Sequence, residues 1–418
     1  MLNNRILSLF LSCLLASSTL AQEILYTMPS EEHAHEGTWI QWPHNHTYSW
    51  SASDFVPAFR EMVSALIESE NVHIVAYNNQ HVNQITNQLT NNGISMDNVS
   101  IHVYQNDDFW VRDNGPSFVY SDQGDLTILD WGFNGWGDDA PYELCDQVPS
   151  LIGDDIGYPV VDLNHIVLEG GAIEINGEGS LMATWSSILG DHRNPGMSES
   201  EMEEYLTTYL GITNFIWLEG VYGGNADITD QHIDAVARFH GANTIVTMSE
   251  EDLVEWELLP SDIEILYSAT NVQGQPFNIV TLPITDNDVV TEWGEDMQFK
   301  GSYVNYYVAN SVVLVPQYDD PRDAEALEIV SELYPSKQAV GIDCRNLFGV
   351  GGMVHCVTQQ QPLELISSIN TIDNSQEMRR LLKVCDAMGR EVIASEAGSI
   401  LFYIYDNGDV EKLINLIN

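Results

Sequence analysis

The chain is 418 residues long, with 44 % hydrophobic and 10 % aromatic residues, globular proportions that exclude disorder for most of its length. Lys and Arg total 14 against 62 Asp and Glu, a formal charge of −48. Such a surface repels nucleic acid and anionic membranes and attracts cations, although it also serves plain solubility in a salty medium.

Met1–Ala21 reads as a signal peptide: Arg5 is the positive start, Ile6 to Ala16 the apolar core, and Thr19 and Ala21 are small residues at the cleavage site. The chain is therefore expected to be exported, to the periplasm or beyond. Cys13 follows Phe10 and Leu11, which make a poor lipoprotein site. No later stretch approaches about eighteen consecutive apolar residues, so no membrane span is expected. The four remaining cysteines, Cys145, Cys344, Cys356 and Cys385, match neither a disulfide framework nor a zinc pattern.

In chain order, Phe55, Val56, Phe59, Met62, Val63, Leu66 and Ile67 predict a helix over Ser53–Glu70, capped by Ser53 or Asp54. A strand follows at His73–Tyr77, a polar helix around Gln80–Asn91 and a strand at Ser100–Tyr104. Further strands are predicted at Leu126–Trp131, His165–Leu168, Ala172–Asn176, Phe215–Leu218, Thr244–Met248, Phe277–Leu282, Val304–Val315 and Ala339–Ile342. Helices are predicted at Ser198–Leu210 and Asp323–Leu333, each opened by a hydroxyl or acidic residue. Alternation of this kind argues an α/β architecture, and no linker divides Glu23 from Pro362. Beyond it the composition changes to short strands at Leu381–Cys385, Glu391–Ala394, Ile400–Tyr405 and Glu411–Leu416, a small separate β unit.

Five segments carry chemistry. Asn106 to Pro116 follows a strand and holds Asp108, Trp110, Arg112 and Asp113, a strand-end site or a set of turn-formers. Leu168-Glu169-Gly170-Gly171 is a carboxylate with two glycines, or an ordinary turn. Asp227 to Asp234 contains His232 and Asp234, which share a face if they lie on a strand. They could form an acid/base pair, or ligate a metal for which further ligands are not obvious. Ser302 to Asn305 opens a long strand, and Asn305 alone says nothing. Gly351 to Pro362 places Cys356 between a glycine pair and three glutamines, where a thiol can be a nucleophile or a small buried hydrophobe.

Together these residues resemble the agmatine deiminase / bacterial peptidyl-arginine deiminase family. The matching runs are Trp110-Val-Arg112-Asp113-Asn-Gly-Pro, Glu169-Gly-Gly, His232-Ile-Asp234, Tyr303-Val-Asn305 and Gly351-Gly-Met-Val-His-Cys356-Val-Thr-Gln-Gln-Gln-Pro. Trp39-Ile-Gln-Trp42-Pro-His, Trp131-Gly-Phe-Asn-Gly-Trp136-Gly and Val308-Ala-Asn310 add to them, so the likeness covers Met28 to Pro362. The resemblance implies a pentein fold, a five-fold pseudo-symmetric α/β propeller of ββαβ units, over residues 22–365. It implies Cys356 as nucleophile, His232 as general acid/base, and Asp113 and Asp234 as guanidinium clamps. Asn305 and Glu169 would support the site, Trp110 would line the substrate's stem, and Asp230, which with Asp227 flanks Ile228, is a further substrate-binding candidate. No metal or cofactor is required.

The implied partner is a small cationic guanidino compound, agmatine or arginine, or an arginine-containing peptide. Ile228 stands where agmatine-specific relatives carry an acid four positions before the histidine, while Asn134-Gly135-Trp136-Gly137 is the agmatine-type pattern. Two alternatives remain open at this point, an amidinotransferase and a non-catalytic binder of guanidino ligands. The tail, 366–418, resembles a C-terminal sorting domain of the type IX secretion route, or is a family-specific extension.

Overall fold

The computed structural model describes residues 25–49, 51–221, 227–365, 381–386, 400–405 and 410–414. Met1–Ala21 and the expected strand Glu391–Ala394 lie outside the described residues. The chain divides into two compact units between Leu363 and Glu364. Among the described residues no helix is long and apolar enough to cross a membrane.

The larger unit is mixed α/β, and one arrangement recurs in it. A short strand runs antiparallel to a second, and a third lies parallel to the second after a helical crossover, which a parallel pair requires. The triplets are Ser117–Ser121, Leu126–Gly132 and Val160–Val167, then Ile173–Ile175, Ser180–Thr184 and Asn214–Leu218. Next come Ala237–His240, Thr244–Thr247 and Asn278–Thr281, then Tyr307–Val308, Val312–Gln317 and Gln338–Asp343. The fifth joins the two ends of the unit: Gln359–Pro362 pairs antiparallel with His35–Gln41, which lies parallel to Asn71–Ala76. Among the described residues none of these sheets closes on itself.

Middle strands are covered on both faces, so they read as apolar runs rather than alternating ones. All of Leu126–Gly132 and Ser180–Thr184 is buried. The helix Ala52–Leu66 turns Phe55, Val56, Phe59, Met62, Val63 and Leu66 into the core, as its spacing predicts, whereas Ile67 of the predicted set is the C-cap and only partly buried. It ends before the expected Glu70, and its cap is Ser51 with no side-chain bond, not Ser53 or Asp54. The helix Glu199–Leu210 keeps its predicted span with a capping box formed by Ser198 and Glu201.

One predicted strand is two. Val304–Val315 breaks into Tyr307–Val308 and Val312–Gln317, which pair with each other. The turn between them is held because Asn310 donates through Nδ2 to the His35 carbonyl at 2.9 Å and accepts the His35 amide at 2.9 Å. Sequence periodicity carries no sign of that distant anchor. The smaller unit is a three-stranded antiparallel sheet, Leu381–Asp386, Ile400–Tyr405 and Val410–Ile414.

Each triplet of the larger unit opens with a short lead-in immediately before its first strand. These are Val111–Asn114, Gly170–Ala172, Ile233–Ala235, the residues from Tyr303 to Tyr306, and His355–Val357. The chemistry-bearing residues sit on or beside these five lead-ins.

Candidate active site

Cys356 lies on a 3-10 turn and keeps part of its surface exposed, whereas Cys145 and Cys344 are buried free thiols. Its sulfur is 3.5 Å from Asn305 Nδ2 and 3.9 Å from Asp234 Oδ2. Asn305 is fully buried and accepts the His355 amide on Oδ1 at 2.9 Å, which fixes the peptide that carries the cysteine. Burial, and then the negative charges of Asp234 and Asp113, hold the thiol well above its ordinary pKa. An empty site therefore stores sulfur as thiol.

His232 and Asp234 are not on a strand. His232 opens the turn Ile233–Ala235, behind Asp230 and Gln231, two residues in the left-handed region at φ 56° and 71°. Asp227 holds this strained approach by accepting the Thr229 amide at 2.9 Å and the Gln231 amide at 3.0 Å. His232 donates through Nε2 to Glu169 Oε2 at 2.8 Å, and its Nδ1 faces Asp113 Oδ1 at 3.6 Å. Burial opposes its charge, but Asp113 and then Glu169 raise the imidazole to about 9. The carboxylates that charge it are thus these two, ahead of its sequence neighbour Asp234.

Asp113 accepts the Gly171 amide on Oδ1 at 3.1 Å and the Trp136 indole N–H on Oδ2 at 2.9 Å. Burial pushes its carboxyl up to about 6, against the pull of His232. Asp234 is also buried, yet the hydrogen bond and charge of His355 lower its pKa below the usual value. A β-carbon on Gly171 would fall 2.6 Å from His232 Nδ1, 2.8 Å from Asp113 Oδ1 and 3.1 Å from Asp234 Oδ2. That glycine is required by close approach, and it shows these three side chains meeting at one point. Trp110 is buried with its ring over Gly352, where a β-carbon would lie 2.3 Å from Cζ3, so the indole borders the cysteine loop.

Two predicted residues have other commitments. Glu169 is shared between His232 and Arg193, whose Nε donates to its Oε1 at 2.6 Å. Asp230 accepts Arg193 Nη1 on Oδ2 at 3.0 Å. Sequence reasoning missed Arg193 and a buried cluster under the site, and it quoted Trp136 and Gly171 within motifs without giving either a role. In that cluster Glu31 accepts Arg238 Nη2 at 2.8 Å, Arg112 Nη2 at 3.1 Å and His355 Nε2 at 2.8 Å. One signal was available: in a chain with 14 Lys and Arg, an arginine beside an apolar strand has a reason to be inside. Among the described residues no group of His, Cys, Asp and Glu is arranged to hold a metal ion.

The arrangement can hold a flat cation. Two carboxylates near one sulfur match the planar fork of a guanidinium, and a charged imidazole beside them can give up a proton. The profile of the Porphyromonas-type peptidyl-arginine deiminases matches residues 27–362. A Listeria monocytogenes serovar 1/2a protein, provisionally named an agmatine deiminase, is 32 % identical over 362 residues, 81 % of this chain and 96 % of its own. The solved agmatine deiminase of Enterococcus faecalis shares 27 % identity at a TM-score of 0.72, covering 82 % of this chain and all of that one. A substrate-bound cysteine-to-serine variant of the C. jejuni agmatine deiminase shares 25 % at a TM-score of 0.69, covering 81 % and 97 %.

Proposed function

The chain belongs to the Porphyromonas-type peptidyl-arginine deiminase family, and we propose that it is a cysteine hydrolase that converts a guanidino group to a ureido group with release of ammonia. The observation that carries this reading is the convergence of Cys356, Asp113 and the His232–Asp234 pair from three separate lead-ins, with Asp234 Oδ2 3.9 Å from the sulfur.

Asp113 and Asp234 clamp the guanidinium plane and turn its carbon towards Cys356. The bound cation offsets the carboxylate charge that keeps the thiol protonated, so the thiolate forms on binding and its proton leaves to solvent. Sulfur attacks the carbon, and His232 hands its proton to the departing nitrogen, which leaves as ammonia. His232, now neutral, takes a proton from water as the water attacks the thiouronium adduct. Collapse of that intermediate breaks the C–S bond, passes the remaining hydroxyl proton to solvent, and releases the ureido product and the thiolate. Glu169 keeps His232 oriented and charged, Asn305 fixes the Cys356 peptide, and Trp110 lines the stem.

The substrate class is agmatine or arginine, free or in peptides. Asp227 is occupied within its own turn and Asp230 by Arg193, so neither stands as an uncommitted acceptor for a distal amine. The five repeated triplets support a five-fold pseudo-symmetric propeller over 22–365. The leader composition supports export, and the tail's strands fit a terminal β domain of the sorting type.

The test is ammonia release from agmatine, arginine, and peptides with internal or C-terminal arginine, with lysine compounds as controls. At least one guanidino substrate turns over, no lysine compound does, and Cys356→Ala abolishes turnover. Activity that survives Cys356→Ala rejects the mechanism.

A further inference from the structure

We propose that His355 is the positioning residue that aims Asp234 at the substrate, and that Glu31 fixes His355 from behind; this rests on the deiminase reading above. His355 immediately precedes the cysteine and is buried, whereas Cys356 keeps part of its surface exposed. Its Nδ1 lies 2.7 Å from Asp234 Oδ2 and its Nε2 2.8 Å from Glu31 Oε2. Carboxylate oxygens accept, so each ring nitrogen is placed where an N–H can be given to a carboxylate. The Asp234 oxygen that it holds is the one 3.9 Å from the sulfur.

Glu31 cannot turn away from its task. Oε1 accepts Arg238 Nη2 and the Val308 amide, each at 2.8 Å, while Oε2 accepts Arg112 Nη2 at 3.1 Å beside His355. Arg238 is held in turn by Glu174 at 2.9 Å and by the Tyr306 carbonyl. Arg112 is the neighbour of Asp113 and also donates through Nε to the His355 carbonyl at 3.5 Å. One buried carboxylate thus ties together the lead-ins that carry Asp113, Asp234 and Cys356. A ring that merely filled space would need no donors, yet both nitrogens are matched. The consequence for the reaction runs through Nδ1 alone, because only that nitrogen reaches a group that touches substrate.

Two variants separate the nitrogens. In His355→Asn the amide nitrogen falls near the place of Nδ1, and in His355→Gln it reaches the place of Nε2. With the best substrate of the panel, His355→Asn stays within about tenfold of wild-type kcat/KM, while His355→Gln loses roughly ten- to a hundredfold, the range for partners that orient a metal ligand. The loss falls on kcat as well as KM, since the clamp acts in the transition state. It disappears when His355→Gln is made on an Asp234→Asn background.

Equal losses in the two variants, or losses that track their melting temperatures, overturn the assignment and leave His355 a packing residue. Should His355→Gln not fold, Glu31→Gln serves: a roughly tenfold loss that vanishes on the Asp234→Asn background supports the role, by the same comparison with ligand-orienting partners, and unchanged activity overturns it. A wild-type chain that turns over while these variants are alike sinks only the role of His355. A wild-type chain that releases no ammonia sinks the reaction and this role with it.

Discussion

His232 and Glu169 meet at 2.8 Å, Nε2 to Oε2, and the carboxylate's other oxygen is held by Arg193 at 2.6 Å. The histidine cannot leave its acid, and the acid cannot follow a different partner. With Asp113 near its other nitrogen, the ring stays charged to about 9.

The pH dependence follows from that value and from Asp113 at about 6. Asp113 must be ionised to hold a cation and His232 protonated to release ammonia, so, with the thiolate formed on binding, kcat is a bell whose acid limb follows Asp113 and whose basic limb follows His232. For stability, a histidine raised from about 6.5 to about 9 contributes fully below the lower value, and the contribution is lost as pH rises through the upper one. Glu169→Gln moves the basic limb of the activity towards acid. Should that limb stay in place in a pH–rate profile, His232 is not the group that titrates.

Gly171→Ala is expected to remove activity without removing the fold. The added methyl would sit between His232, Asp113 and Asp234, 2.6 to 3.1 Å from each. Shifts of about an ångström at reacting groups cost on the order of a hundredfold. Steady-state kcat/KM should fall by about that factor, while circular dichroism and the melting curve stay close to wild type.

Alkylation by iodoacetamide reads the thiol directly. In the empty enzyme, burial with Asp234 and Asp113 keeps Cys356 protonated, so inactivation is slow at neutral pH and rises only in strongly alkaline solution. Asp234→Asn removes one negative charge 3.9 Å from the sulfur and speeds alkylation at pH 8 by about tenfold. Rates that are the same in both proteins show that the carboxylate does not govern the sulfur.

Much of the α/β alternation could be read from period and capping, because Ala52–Leu66 and Glu199–Leu210 carry their burial pattern locally. His35–Gln41 was legible only as a motif, since a strand buried on nearly all of its residues shows no alternation. The candidate site residues stood out because Cys356, His232 and the aspartates lie in polar, glycine-marked segments. Their supports did not. Glu31 and Arg238 interact across 207 positions of chain, and no local pattern announces such a pair. His232 and Asp234 were expected to share a strand face, whereas the left-handed backbone at Asp230 and Gln231 sets the pair on a turn.

Gln359–Pro362 completes a sheet begun by His35–Gln41, with Gln359 opposite Trp39. The strand that leaves Cys356 is thus latched to the opening of the unit, more than three hundred positions away. A chain still being synthesised has the acids Asp113 and Asp234 before it has Cys356, so the sulfur can meet them only after the last strand of the unit has paired with one of its first.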